Sequence, residues 1–408
     1  MDCMLKIGWD MRREGTMKST VIFFWIIALI LQYRPAYADN KIYIGLDAAF
    51  GNITSTSETA IKQGILIAID EINRTGGVLG GRKLGLIERD NRSVPARGIK
   101  NIREFAAMPN VVAVFCGKFS PVVQEEIPHV HNLGLPLLDP WAAADDIIDN
   151  GHSPNYVFRL SLKDSWAISK MLDSAQKKEK RRIGVIVPIT GWGRSSNDAV
   201  SRYAAGHPDL KIVGTEWYSW GEASLKDKYL ALLKSGAQAI LLVANEREGS
   251  VLVREVASLP EKKRLPIFSH WGVSGGDFVK LTGRSIEKVD FSVVQTYSFI
   301  DMDSEKVRQV VSAAKRLFNI PDARHIKAPV GMAHAYDLTH ILALAINLAG
   351  SADRKSVRDA LERVSHYDGL IKSYDRPFSD IRHEALGPED VFMARFMKDG
   401  SIAAAKED

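Results

Sequence analysis

Short, uniformly apolar runs alternate with amphipathic stretches along this chain, and that alternation restricts the fold more than any other feature. Ile42 to Leu46 reads as a buried strand, and Thr59 to Asn73 then carries Ile61, Ile65, Ala68, Ile69 and Ile72 at helical spacing. Gly76-Gly77 ends that helix, because a glycine just past the last periodic residue supplies a left-handed cap. Strands follow at Leu84 to Arg89, Val111 to Cys116 and Leu135 to Asp139, with helices opened by Pro95 and spanning Val123 to Asn132 between them. Strands apolar on both faces and separated by helices build a parallel sheet with helices on both sides.

The same rhythm restarts after Arg159. Helices are predicted over Ser165 to Lys177, from Ser195, over Leu225 to Lys234 and over Ser250 to Leu259. Strands are predicted at Ile183 to Val187, Ile212 to Trp217, Ala239 to Val243 and Pro266 to Ser269. The fold class is therefore α/β, with two doubly wound parallel-sheet units in succession. The roughly 370 residues past residue 38 are too many for one hydrophobic core, which agrees with two domains. No Pro- or Gly-rich linker separates the halves, so several close crossings are expected instead of one tether.

The N-terminus points to export. Met17-Lys18 precedes an apolar run from Val21 to Leu31 and then Ala36-Tyr37-Ala38, the pattern of a secretory signal peptide cleaved between Ala38 and Asp39. That run is about half of the roughly 20 residues a spanning helix needs. Cys3 lies upstream of it, where no lipid attachment is expected, so the chain reads as periplasmic or extracytoplasmic and not as a lipoprotein. Acidic residues before Met17 are foreign to a signal peptide, and Arg12-Arg13-Glu14-Gly15 can be encoded by a purine-rich ribosome-binding site, which makes Met17 the expected start. Processing would leave Cys116 alone, so no internal disulfide forms. Residues 1 to 38 take five basic and three acidic residues with them, and the net charge of +5 falls to +3. With no basic block, nucleic acid is not an expected partner.

Doubly wound sheets bind ligands past the carboxyl ends of their strands, where strand order reverses. The loops to search are 48–56, 117–122, 140–145, 188–194, 244–248 and 270–276. At this point the chain resembles the periplasmic leucine/isoleucine/valine-binding proteins that feed ABC transporters. The resemblance rests on Ala68-Ile69-Asp70-Glu71-Ile72-Asn73-Arg74-Thr75-Gly76-Gly77-Val78, on Arg182-Ile183-Gly184-Val185-Ile186 and on Ala335-Tyr336-Asp337, in that order. It implies a type I periplasmic binding protein fold, two lobes joined by a three-strand hinge. Lobe 1 would hold residues 39–160 and 291–384, and lobe 2 residues 161–290 and 385–408.

Carried over from that family, first-lobe contacts fall on Ser57, on Lys118-Phe119-Ser120 and on Trp141-Ala142-Ala143, whose hydroxyls and backbone N–H groups would hold a ligand carboxylate. Ala143 stands where a Ser or Thr is usual. In the second lobe Trp192 and Asn245 would contact the ligand, while the family's acidic partner for an ammonium group falls at Trp271, beside His270. Glu246 is the nearest substitute. Burying an ammonium without a partner costs about 3 kcal/mol or more, so a branched-chain amino acid is not the first expectation. Phe50, Phe119, Trp141, Trp192 and Trp271 all lie on or beside these loops. If they converge, their rings suit an amino-acid-like molecule, an aromatic or aliphatic carboxylate anchored by Lys118 and Ser120, or a quaternary amine held by cation–π attraction.

The resemblance further implies a membrane permease as partner, a monomer and no cofactor. Two other classes compete. A ligand-sensing receptor subunit would need a separate signalling partner. A serine hydrolase would use Ser274, because Gly272-Val273-Ser274-Gly275-Gly276 matches a nucleophile elbow, although no Gly-rich oxyanion motif lies upstream. Gly191-Trp192-Gly193-Arg194-Ser195 lacks the ending of a phosphate loop. The pairs His129/His131 and His334/His340 are not spaced as metal ligands, and no metal is expected.

Overall fold

The structure is a computed structural model that describes residues 41–51, 55–300 and 302–405. The signal-peptide expectation and the choice between Met1 and Met17 fall outside the described residues.

The first sheet is built from β1 (Ile42–Ala48), α1 (Ser57–Arg74), β2 (Leu84–Asp90), α2 (Pro95–Ala106), β3 (Val111–Cys116), α3 (Ser120–Asn132), β4 (Leu137–Asp139) and β5 (Val157–Arg159). Its five strands run in the order β2-β1-β3-β4-β5, all parallel. The second sheet takes up α4 (Asp164–Lys177), β6 (Arg182–Pro188), α5 (Gly191–Ala205), β7 (Lys211–Tyr218), α6 (Lys226–Lys234), β8 (Ala239–Leu242), α7 (Glu246–Ala257), β9 (Ile267–Ser269), α8 (Phe278–Thr282) and β10 (Phe291–Gln295). Strand order reverses between β1 and β3 in one sheet and between β6 and β8 in the other. The loops after these strands therefore face the crevice where a doubly wound fold binds its ligand.

The chain then returns to the first lobe with α9 (Glu305–Phe318), α10 (Pro329–Ala349), α11 (Arg354–Leu361) and the hairpin of β11 (His366–Asp368) and β12 (Ser373–Asp375). A Cβ on Gly64 of α1 would stand 2.2 Å from the Met332 carbonyl oxygen of α10, so the two backbones are in close contact. Arg354 fastens α11 to the same lobe by donating to the carbonyls of Phe105, Ala106, Met108 and Val111. Finally β13 (Phe392–Phe396) and β14 (Ile402–Ala404) add antiparallel to the second sheet, giving β14-β13-β10-β9-β8-β6-β7.

One boundary moves. The return to the first lobe was expected at Phe291, but β10 pairs in parallel with β9 and lies inside the second sheet. Its run Phe291-Ser292-Val293-Val294-Gln295 is buried throughout, which is what an inner strand demands. The crossing therefore comes after Gln295. Two helices also begin four residues earlier than expected, at Gly191 instead of Ser195 and at Glu246 instead of Ser250. Thr190 accepts a hydrogen bond from the Gly193 N–H at 3.2 Å and caps α5, which places Trp192 in its first turn. Asn245 precedes α7, whose first turn carries Glu246 and Glu248, acidic residues suited to a helix N-terminus.

Candidate functional site

Rings from both lobes close over one cavity. Phe119 follows β3 and Trp141 follows β4 in the first lobe, whereas Trp192 opens α5, Trp220 follows β7 and Trp271 follows β9 in the second. All five line a space of about 280 Å³, mouth included, together with Lys118, Ser120, Pro121, Ala143, Asn245 and Gly272. Two ring pairs span the lobes, Trp141 with Trp271 at 5.4 Å and Phe119 with Trp220 at 5.4 Å, edge to face. The free space left between the rings is only about 10 Å³, room for about one water, so a ligand enters by displacing rings or parting the lobes.

The first-lobe loop is pinned from behind. Asp139 Oδ1, at the end of β4, accepts from the N–H of Trp141 at 2.9 Å and of Ala142 at 2.7 Å. Burial pushes this carboxyl up to about 7, against the pull of the Arg159 guanidinium. Ser120 Oγ, in the first turn of α3, accepts from the N–H of Ala143 at 3.2 Å and of Ala144 at 3.3 Å. His334 of α10 supports the loop too, with Nδ1 2.8 Å from the Pro140 carbonyl and Nε2 2.8 Å from Thr296 Oγ1. Nδ1 must carry the proton it donates to that carbonyl; with the ring neutral near pH 7, Nε2 accepts from the Thr296 hydroxyl. Burial accordingly pulls His334 down to about 4.

In the second lobe, Asp164 Oδ1 accepts from Trp192 Nε1 at 3.1 Å and so orients the indole. His270 Nε2 lies 3.0 Å from the same oxygen, without a hydrogen-bonding angle. A Cβ on Gly272 would come within 2.6 Å of Trp192 Cη2, so glycine there leaves room for the ring against the backbone.

Lys118, the charged side chain among the described residues of the lining, is already matched. Lys118 Nζ, from the first lobe, stands 3.0 Å from Glu246 Oε2 of the second, with side chains 1% and 2% exposed. Lys118 was expected to anchor a ligand carboxylate and Glu246 to meet an ammonium; the structure joins them to each other. The backbone N–H groups expected to hold the carboxylate are likewise engaged, by Asp139 and Ser120.

Among the sequence-predicted residues, Lys118, Phe119, Ser120, Trp141, Ala143, Trp192, Asn245 and Trp271 come together on the cavity. Glu246 and His270 stand just behind it, and Ala142 is buried with its N–H turned to Asp139. Ser57 lies outside the lining, its hydroxyl bonded to Glu58 Oε2 at 2.5 Å, because the start of α1 docks on the other lobe through the Thr56 N–H and the Gly275 carbonyl at 2.7 Å. Phe50 is also outside, half-buried against the core with its N–H on Asp90. Trp220, Pro121 and Gly272 line the cavity unforeseen. Trp220 could have been found, since it follows a strand in the same way as the searched loops.

Ser274 shows no sign of activation. Its hydroxyl donates to the Trp271 carbonyl at 2.6 Å, inside its own turn, and no histidine hydrogen-bonds it. Among the described residues no cluster of three or more His, Cys, Asp or Glu is placed to hold a metal ion.

The family model for periplasmic binding proteins matches residues 41–400. Leu/Ile/Val-binding protein homolog 7 of Brucella melitensis biotype 1 is 25% identical over 249 residues, 59% of this chain, and the match spans 60% of that relative's length. Among solved structures, a type 1 periplasmic binding protein from Bordetella pertussis Tohama I superposes with a TM-score of 0.79 at 22% identity, covering 90% of this chain and 99% of that one. The branched-chain amino acid transporter substrate-binding protein LivJ from Streptococcus pneumoniae, in complex with isoleucine, superposes with a TM-score of 0.72 at 20% identity, covering 89% and 98%. With two doubly wound lobes, a cleft between them and a family match that runs nearly end to end, the chain belongs to the periplasmic binding protein family.

Proposed function

We propose that this chain is the extracytoplasmic substrate-binding protein of an ABC uptake transporter of the branched-chain amino acid type. It captures one small molecule with an apolar body and closes its two lobes over it. The observation that carries this reading is the convergence of five aromatic side chains, drawn from both lobes, on a single small cavity. Such a site gains binding energy only when the lobes come together, so ligand shifts the population toward the closed form. The closed form is what a membrane permease would engage. The relatives' names and the isoleucine of the pneumococcal protein support a ligand of amino-acid size. The paired Lys118 and Glu246, and the wall of rings, set this cleft apart from a site for an α-amino acid.

A thermal-shift screen of the purified protein against amino acids, aromatic and aliphatic carboxylates, their amides and quaternary amines tests the reading. A ligand at 100 times its dissociation constant adds about 2.7 kcal/mol of stability. The expected result is a clear shift with at least one class, and at least tenfold weaker binding of that compound after Trp192→Phe or Trp271→Phe. Equal affinity in both variants, or turnover of a generic ester abolished by Ser274→Ala, overturns it.

A further inference from the structure

We propose that the cleft selects an uncharged ligand bearing a hydrogen-bond acceptor, because Lys118 and Glu246 occupy the charged positions that a zwitterion or a carboxylate would otherwise fill. This rests on the reading of the cavity as the ligand site and names the chemistry of what enters it.

The anchors expected for an anion are already engaged. A carboxylate would look for Lys118, for the N–H groups of the 141–144 loop, or for both. Lys118 Nζ is 3.0 Å from Glu246 Oε2 across the lobes. Trp141 and Ala142 donate to Asp139, and Ala143 and Ala144 donate to Ser120 Oγ. A ligand carboxylate at Lys118 would have to sit beside Glu246, and two anions sharing one cation at this burial repel each other.

A cationic ligand fares little better. Lys118 is the charge that lines the cavity, and its Nζ already stands 5.1 Å from the centre of the Phe119 ring. An ammonium drawn to the other rings would meet that lysine.

What the cavity leaves open is neutral. Trp220 lines it, and its indole Nε1 is buried with no hydrogen-bond partner among the described residues, a group that calls for an acceptor. Ser120 Oγ accepts twice, which leaves its own proton to donate inward. The Asn245 side chain also lines the space and brings both a donor and an acceptor. Donors without charges, set among rings, fit a flat or branched apolar body with a carbonyl oxygen, such as an amide, ester or ketone.

Matched pairs separate the charges. Phenylacetamide and phenylacetate, isovaleramide and isovalerate, and phenethylamine as the cation would be titrated calorimetrically into the wild-type protein and into Glu246→Gln. The wild type is expected to bind each amide at least tenfold more tightly than its carboxylate twin, and Glu246→Gln, which takes the carboxylate away from Lys118, to narrow or reverse that ratio. If Glu246→Gln does not fold, Lys118→Met provides the mirror test and is expected to gain at least tenfold for phenethylamine. Carboxylates that bind wild type as well as their amides, or a ratio unmoved by either substitution, overturn the inference and leave the cavity reading standing. Silence of all proteins toward every probe overturns both.

Discussion

Lys118 and Glu246 carry the sharpest consequence at the scale of single residues. Removing one member of a buried pair in a rigid interior costs about 3–5 kcal/mol, because the other charge is left without a partner. Here the members belong to different lobes, so the orphaned charge can regain water if the lobes part. Glu246→Gln is therefore expected to open the unliganded protein, seen as a larger radius of gyration by small-angle scattering, while its urea midpoint falls by less than a rigid core would require. A large loss of stability without expansion would mean that the pair is a core contact and not a closure contact.

Asp139 offers a second test at this scale. Burial raises its carboxyl from the ordinary 3.8 to about 7, so the folded chain holds this proton more tightly than the unfolded chain does. The stability it contributes is full below about 4 and is lost as pH rises toward 7. Asparagine keeps the acceptor for the Trp141 and Ala142 N–H groups and removes the titration. Asp139→Asn is expected to gain thermal stability relative to wild type as pH goes from 5 to 8. Parallel curves across that range would contradict the assignment. His334 works in the opposite sense, since its depressed value favours folding above about 4 and through 6.5, so the difference between the two proteins is the quantity to follow.

At the scale of elements, the strands were legible because burial on both faces leaves no choice but an apolar run, as in Val111–Cys116 and Ala239–Leu242. Helix starts were less so. Gly191 and Gly193 read as a loop, yet Thr190 caps a helix there, and the loop after β7 that holds Trp220 was not searched. The Lys118–Glu246 contact was beyond reach, since nothing in the sequence registers one lobe against the other. Two glycines on facing helices test the packing that supports the site. At Gly64 a Cβ would strike the backbone of Met332 at 2.2 Å, and backbone cannot yield. Gly64→Ala is expected to cost about 1–3 kcal/mol or more by denaturant unfolding. At Gly331 the nearest atom is Trp141 Cζ3 at 2.8 Å, part of a side chain that lines the cavity. Gly331→Ala is expected to weaken ligand binding several-fold while changing stability less than Gly64→Ala does. The reverse order would show that Trp141 is held by the core and not by the site.

Among the described residues, two main sheets are joined by three crossings, after β5, after β10 and between β12 and β13. Arg159 ties the first crossing to the third, its guanidinium meeting Glu384 at 2.9 and 2.5 Å and also reaching the Ala142 and Ala144 carbonyls. The hinge and the 141–144 loop thus share one buried cation. The order of elements foretold two doubly wound lobes, and the resemblance to leucine/isoleucine/valine-binding proteins implied that the late helices return to the first, where α10 packs on α1; β10 lies in the second sheet instead. Closure by ligand requires that one molecule touch both lobes at once. Hydrogen exchange, followed with and without whichever compound gives the largest thermal shift, measures this directly. Protection of residues 118–144 together with residues 192–194 and 245–272 is the expected result. Protection confined to one lobe, or to neither set, would contradict closure about this cavity.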